Sequence, residues 1–157
     1  MNKQYRREPK RGALSEVELE DYILQVPSND WDDLFELIPE IQGSKSFGTL
    51  KGGSIGAPFS IMPYYEEEPV VVKFSELVRY IPLMVSYNWF DWEEAKQLVT
   101  SDQPDFSSFS LPELCKIVTV IMRGDHFNEG MLVDCFKRGA IENLLTALKK
   151  KVSEIKK

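Results

Sequence analysis

Apolar residues recur at the 3.6-residue period of an α-helix in most segments between the turn signals, and this pattern predicts an all-α domain. Ser15-Glu16-Val17-Glu18 is a capping box, and Val17, Tyr22, Ile23 and Leu24 give the helix that it opens a short apolar face ending before Pro27. Ser28 is the expected cap of a second helix. Asp30, Asp32 and Asp33 fall in its first turn, where the helix dipole favours anions, and Trp31, Leu34, Phe35 and Ile38 form its stripe. Pro39 should begin its end and Gly43 close it.

Val70-Val71-Val72 is β-branched and suits a strand, but Phe74, Leu77, Val78, Ile81 and Val85 then recur on one helical face. A helix is therefore expected from Val70 towards Tyr87, kinked or ended by Pro82. Residues 88–100 read as another helix, with Glu93 and Glu94 in its first turn, followed by a polar loop over residues 100–110.

Ser110-Leu111-Pro112-Glu113 is the strongest local signal: a cap, a proline in the first turn and a glutamate three residues after the cap. It predicts a helix to about Met122 whose wide apolar face, including Leu111, Leu114, Cys115, Val118 and Ile121, suits the centre of the core. Arg123-Gly124-Asp125-His126-Phe127 is the expected break and Asn128 the next cap. Met131, Leu132, Cys135 and Phe136 form a further stripe ended by Gly139. The closing helix carries Ile141, Leu145, Leu148, Val152 and Ile155, a heptad seam of only about two heptads, too short to argue for a coiled coil. Its first three apolar residues should pack on the body, leaving the end beyond Lys149 to project and offering a route to weak self-association.

Residues 43–69 stand apart, with Gly43, Gly48, Gly52, Gly53 and Gly56 and with Pro58, Pro63 and Pro69. This is a long connection for a compact domain, and at most a small hairpin is expected near residues 46–72. The phosphate-binding patterns fail: Ile38 stands where a P-loop needs its first glycine, and Lys51 where a dinucleotide fingerprint needs one.

Composition adds a boundary. The chain has 157 residues, 43% hydrophobic and 28% charged, which fits one compact domain of six or seven helices over residues 14–157, preceded by a basic arm over residues 1–13. No signal-peptide or membrane-span pattern is present, so the expected location is cytoplasmic, without membrane association. Cys115 and Cys135 lie among apolar residues at helical spacing and are expected to be buried, reduced thiols. The net charge is −6, but residues 3–11 and residues 149–157 each carry +4, which leaves the body between them at −14. Such a body repels phosphate backbones, so a nucleic-acid partner is disfavoured and could engage only the basic ends.

Candidate chemistry is sparse. His126 is the only histidine, which excludes a two-histidine metal site within one chain. Asp91, Arg123, Asp125 and Glu129 are the charged groups placed near predicted helix ends, and Trp89, Phe90 and Trp92 give a dense aromatic payload to be buried or to recognise something. The candidate binding residues are Asp91, Trp92, Arg123, Asp125, Phe127 and Glu129, with Arg123 expected to bridge carboxylates. No catalytic set, metal site or cofactor is assigned, and no serine lies in a nucleophile elbow.

Phe90-Asp91-Trp92, the run Arg123-Gly124-Asp125-His126-Phe127-Asn128-Glu129-Gly130, and Gly139-Ala140-Ile141-Glu142-Asn143-Leu144-Leu145 together resemble a bacterial and phage-associated family, domain of unknown function 6508. The resemblance covers about residues 29–148 and implies no established activity. The chain departs from it at His126, where the family usually has arginine, and this weighs against a metal role for that histidine. On these grounds the expected function is a protein-interaction or regulatory module with another protein as partner. The alternative is an enzyme that uses Asp91, Arg123, Asp125 and Glu129 for metal- or phosphate-dependent chemistry.

Overall fold

The computed structural model describes residues 21, 24–51, 64–81, 83, 93–127 and 130–156. Their order is α1 (Ser28–Phe35), α2 (Leu37–Gly43), β1 (Gly48–Lys51), β2 (Tyr64–Glu67), α3 (Pro69–Tyr80), α4 (Glu93–Val99), α5 (Leu111–Phe127), α6 (Met131–Lys137) and α7 (Ala140–Ile155). Asp21, Leu24 and Gln25 are also helical, whereas the capping box at Ser15 and residues 84–92 lie outside the described residues. Among the described residues the protein is all-α apart from one antiparallel hairpin, which falls inside the segment where a hairpin is expected.

Prolines set two of the helix ends. A single helix through Ile38 is replaced by α1 and α2, broken at Glu36. Pro39 has no N–H to give the Phe35 carbonyl and its ring would crowd that oxygen, so α1 stops at Phe35 and Pro39 sits in the first turn of α2. Pro82 disfavours helical geometry at the residue before it, and Ile81 is extended (φ −84°, ψ 118°), so α3 ends at Tyr80. At the other end of α3, Pro69 starts the helix, and Val70 and Val71 are buried in it together with Phe74 and Val78. Tertiary burial overrides the strand preference of the valine run. Ser28 is not a cap: Pro27 takes that position, and the Asp30 N–H donates to the Pro27 carbonyl oxygen at 3.0 Å.

The capping box at α5 forms in both directions. The Ser110 N–H donates to Glu113 Oε1 at 2.9 Å, and the Glu113 N–H donates to Ser110 Oγ at 3.3 Å. Helix α5 is the core helix, contacted by α4, α6 and α7. It also runs further than the sequence suggests, to Phe127. Gly124 does not break it. This glycine is buried in the helix, and a Cβ there would meet the Met131 thioether, the far end of a flexible side chain at the start of α6. The turn comes instead at Gly130, whose φ of +94° is left-handed geometry that glycine adopts without penalty.

Gly139 closes α6 as expected, with φ +85°, and α7 follows directly. Here the structure corrects the picture of a projecting end. Val152 is 4% exposed and Ile155 packs against the core, so the apolar seam continues beyond Lys149 and is used inside the chain, where α7 contacts α1 and α2. The Lys156 ammonium donates to Ser28 Oγ at 3.1 Å across this contact.

The stability of a truncated chain tests this packing. Burial of a valine side chain contributes about 1.5–3 kcal/mol. Deleting residues 151–157 is therefore expected to lower the unfolding free energy by roughly 2 kcal/mol or more, read as a reduced urea midpoint, whereas a projecting helix end would leave the midpoint unchanged.

Candidate functional site

The predicted binding residues do not gather into one described site. Asp91, Trp92 and Glu129 lie outside the described residues, and Phe127 is the last residue of α5. Arg123 is exposed on α5 and, among the described residues, has no ion-pair partner. Of the three carboxylates it is expected to bridge at least one of, Asp125 is not engaged, and Asp91 and Glu129 lie outside the described residues. Because α5 continues through this run, positions two apart point to different sides of the helix and cannot pair. Asp125 is half-buried and occupied structurally: the Leu132 N–H donates to its Oδ1 at 3.0 Å. The carboxylate thus satisfies an amide at the start of α6 that has no partner within its own helix.

A different charged residue organises a corner of the molecule. Arg138 donates from Nε to Asp134 Oδ2 at 2.8 Å and from a terminal nitrogen to Asp102 Oδ1 at 2.9 Å, and these contacts raise its already high pKa. The Gln103 N–H donates to the Arg138 carbonyl oxygen at 2.8 Å, and the Asn143 amide nitrogen donates to the Pro104 carbonyl oxygen at 2.9 Å. The loop read from sequence as merely polar is therefore fastened to the α6–α7 corner. Gln103 itself has φ +46°, an uncommon conformation for a residue other than glycine. Further along, the Ser107 N–H donates to Asp105 Oδ1 at 2.9 Å and holds that carboxyl below its usual pKa. Sequence spacing gave no signal for the corner, because Asp102 and Arg138 are 36 residues apart.

The hairpin presents the other distinctive surface. Gly48 begins β1 against α6, where an added Cβ would stand 2.9 Å from a Val133 methyl, and Phe47 packs on Phe136 with ring centroids 5.3 Å apart. The strand is thus seated on the core, yet Leu50 within it is 58% exposed. Beside the base of the hairpin lies an open depression of about 370 Å³ lined by Glu40, Ser44, Lys45, Ser46, Glu68, Pro69 and Val70. Glu40 is already engaged there, accepting from the Lys73 ammonium at 3.1 Å. The alternation of Gly48 and Leu50 along β1 was the sequence signal for this surface, obscured by the surrounding glycines.

Cys115 and Cys135 are free and buried, as expected. Burial pushes both thiols up to about 12, and Cys135 donates weakly to the Val99 carbonyl oxygen at 3.4 Å. Neither is a nucleophile at neutral pH, since the reactive form is the thiolate. Among the described residues, no group of three or more His, Cys, Asp or Glu side chains could hold a metal ion, and no helix is long and apolar enough to cross a membrane.

A small helical domain with its polar residues tied up in helix ends and corners is the class that this fold and geometry define. The chain belongs to the family of unknown function DUF6508, which it matches over residues 26–154. No curated protein and no solved structure matches the chain.

Two outcomes check these assignments. Asp125→Ala is expected to cost about 1 kcal/mol through loss of the bond to the α6 amide, while Arg123→Lys stays within about 0.5 kcal/mol, both read by urea denaturation. The thiols set an alkaline limit. Their pKa values rise from an ordinary 9.0 to about 12 on folding, so their contribution to stability is complete below about pH 9 and is lost as pH rises through about 12. The melting temperature should fall over that window, and a variant with Cys115→Ala and Cys135→Ala should show a shallower fall.

Proposed function

We infer that this protein is an interaction module that engages another protein through its hairpin. The observation that carries the reading is Leu50: a large apolar side chain left 58% exposed on a strand that is itself anchored to the core by Phe47 and Gly48. Single exposed apolar residues are ordinary, and Leu24 and Val72, both on helical residues, are exposed as well, at 56% and 39%. Leu50 stands instead on a strand held to the core, so little ordering cost remains when a partner covers it. Of the cluster that the alternative enzyme reading uses, Asp125 accepts from the α6 amide, a bond that serves the fold. A cytoplasmic setting suits a module with two buried, reduced thiols.

Site-directed photo-crosslinking in cells that produce the full chain tests the reading. A photoreactive phenylalanine analogue replacing Leu50 should yield a covalent adduct with another protein, while the same analogue replacing Thr146, exposed on α7, should not. Adducts at neither position, or equally at both, would overturn the assignment of the hairpin as the contact surface.

A further inference from the structure

The depression beside the base of the hairpin carries charges of both signs that do not answer each other. Among the described residues Glu68 and Lys45 enter no ion pair, whereas Glu40 in the same lining is neutralised by Lys73. We propose that this depression binds a small zwitterionic amino acid, its ammonium on the Glu68 carboxylate and its carboxylate towards Lys45 and Ser46. The site is separate from the protein contact at Leu50 and does not depend on it.

The main chain on both sides is set before a ligand arrives. After α2, the Ser44 N–H donates to the Ile41 carbonyl oxygen at 3.1 Å and Ser44 Oγ to the Glu40 carbonyl oxygen at 2.7 Å, which fixes the start of the segment that carries Lys45 and Ser46. Opposite, the Glu68 N–H donates to the Phe47 carbonyl oxygen at 2.9 Å, and the Glu68 carbonyl oxygen accepts from the Val71 and Val72 N–H groups at 3.0 and 3.2 Å. The Lys73–Glu40 pair joins α3 to α2. A surface held in this way leaves little ordering cost to binding. Every residue that lines it belongs to the described ones. Its volume of about 370 Å³ lies at the small end of the range for small-molecule sites, roughly 300–1,000 Å³.

Charge selects the ligand. Glu68 is half-buried, so its carboxylate has given up part of its hydration without gaining a counter-ion from the chain. A simple anion is repelled by it. A simple cation meets Lys45 and the start of α3, where the helix dipole is positive and Pro69 and Val70 line the depression. A molecule with both charges gives each group its opposite and brings no net charge into the site. Two separate salt ions would have to bind as independent events, whereas a zwitterion delivers its second charge at the high effective concentration set by its own short length.

The test titrates the full, isotope-labelled chain in heteronuclear NMR with L-alanine and with γ-aminobutyrate, which differ in charge separation, and with acetate and methylammonium as single-charge probes. At least one of the two amino acids should shift the Lys45, Ser46, Glu68 and Val70 amide signals saturably, with a Kd about tenfold or more below that of either single-charge probe; which of the two binds tighter reports the charge separation that the site accepts. Glu68→Gln should weaken binding on the order of tenfold, and Lys45→Gln, at an exposed position, about threefold. The bonds by which Glu68 serves the fold are made by its main chain, so Glu68→Gln should melt as the original chain does; if it does not, Lys45→Gln decides. No saturable shift with either amino acid, equal affinity for a single-charge probe, shifts centred away from the depression, or undiminished binding in both variants would overturn the proposal.

Discussion

Burial of α5 on all sides from Ile117 to Met122 is the constraint from which the rest of the structure follows. Six consecutive residues from Ile117 to Met122 are buried, more than a full helical turn, so along that stretch the helix has no solvent face. A helix of that kind is held by surrounding elements rather than by its own propensity, and α4, α6 and α7 supply contacts. Its one buried hydroxyl, on Thr119, has to find a partner within the helix and donates to the Cys115 carbonyl oxygen at 2.9 Å. No polar chemistry can be staged on such an element except at its ends.

The polar residues at those ends are used to turn the chain. Ser110 and Glu113 satisfy the amides at the start of α5. Asp125 reaches from its last turn to the start of α6, where the Leu132 N–H donates to it. Arg138 then holds the next corner by joining Asp134, one turn before it, to Asp102 on the incoming loop. Asp125, part of a charged cluster in the sequence, is in this way joinery between two helices. A helix of seven residues such as α6 has few internal bonds, so its ends need partners from neighbouring elements.

What was legible in the sequence was local chemistry with a fixed offset. The capping box at Ser110 and Glu113, the closure of α6 at Gly139 and the burial of both cysteines follow from patterns a few residues long. The errors arose where one residue type serves two ends. Gly124 has the composition of a helix break, yet it lies buried inside α5 against the Met131 thioether, and its type alone does not distinguish the two uses. Pro39 marks a boundary in either direction: as the end of one helix or, as found, in the first turn of the next. Val152 and Ile155 repeat the core spacing of α7, but the flanking lysines disguised them as part of a solvated tail. The Arg138 corner could not be read at all, since its partners meet only after the chain has folded.

The same division explains where function has room to reside. Helical segments that enclose α5 spend their apolar faces inward, and their charged groups at corners are committed to each other. The hairpin is exempt from both demands. Its anchoring is done by Phe47 and Gly48, residues at its base, so Leu50 is not needed by the core. A strand whose main chain is fixed and whose side chain is idle can be varied without loss of the fold, whereas α5 cannot.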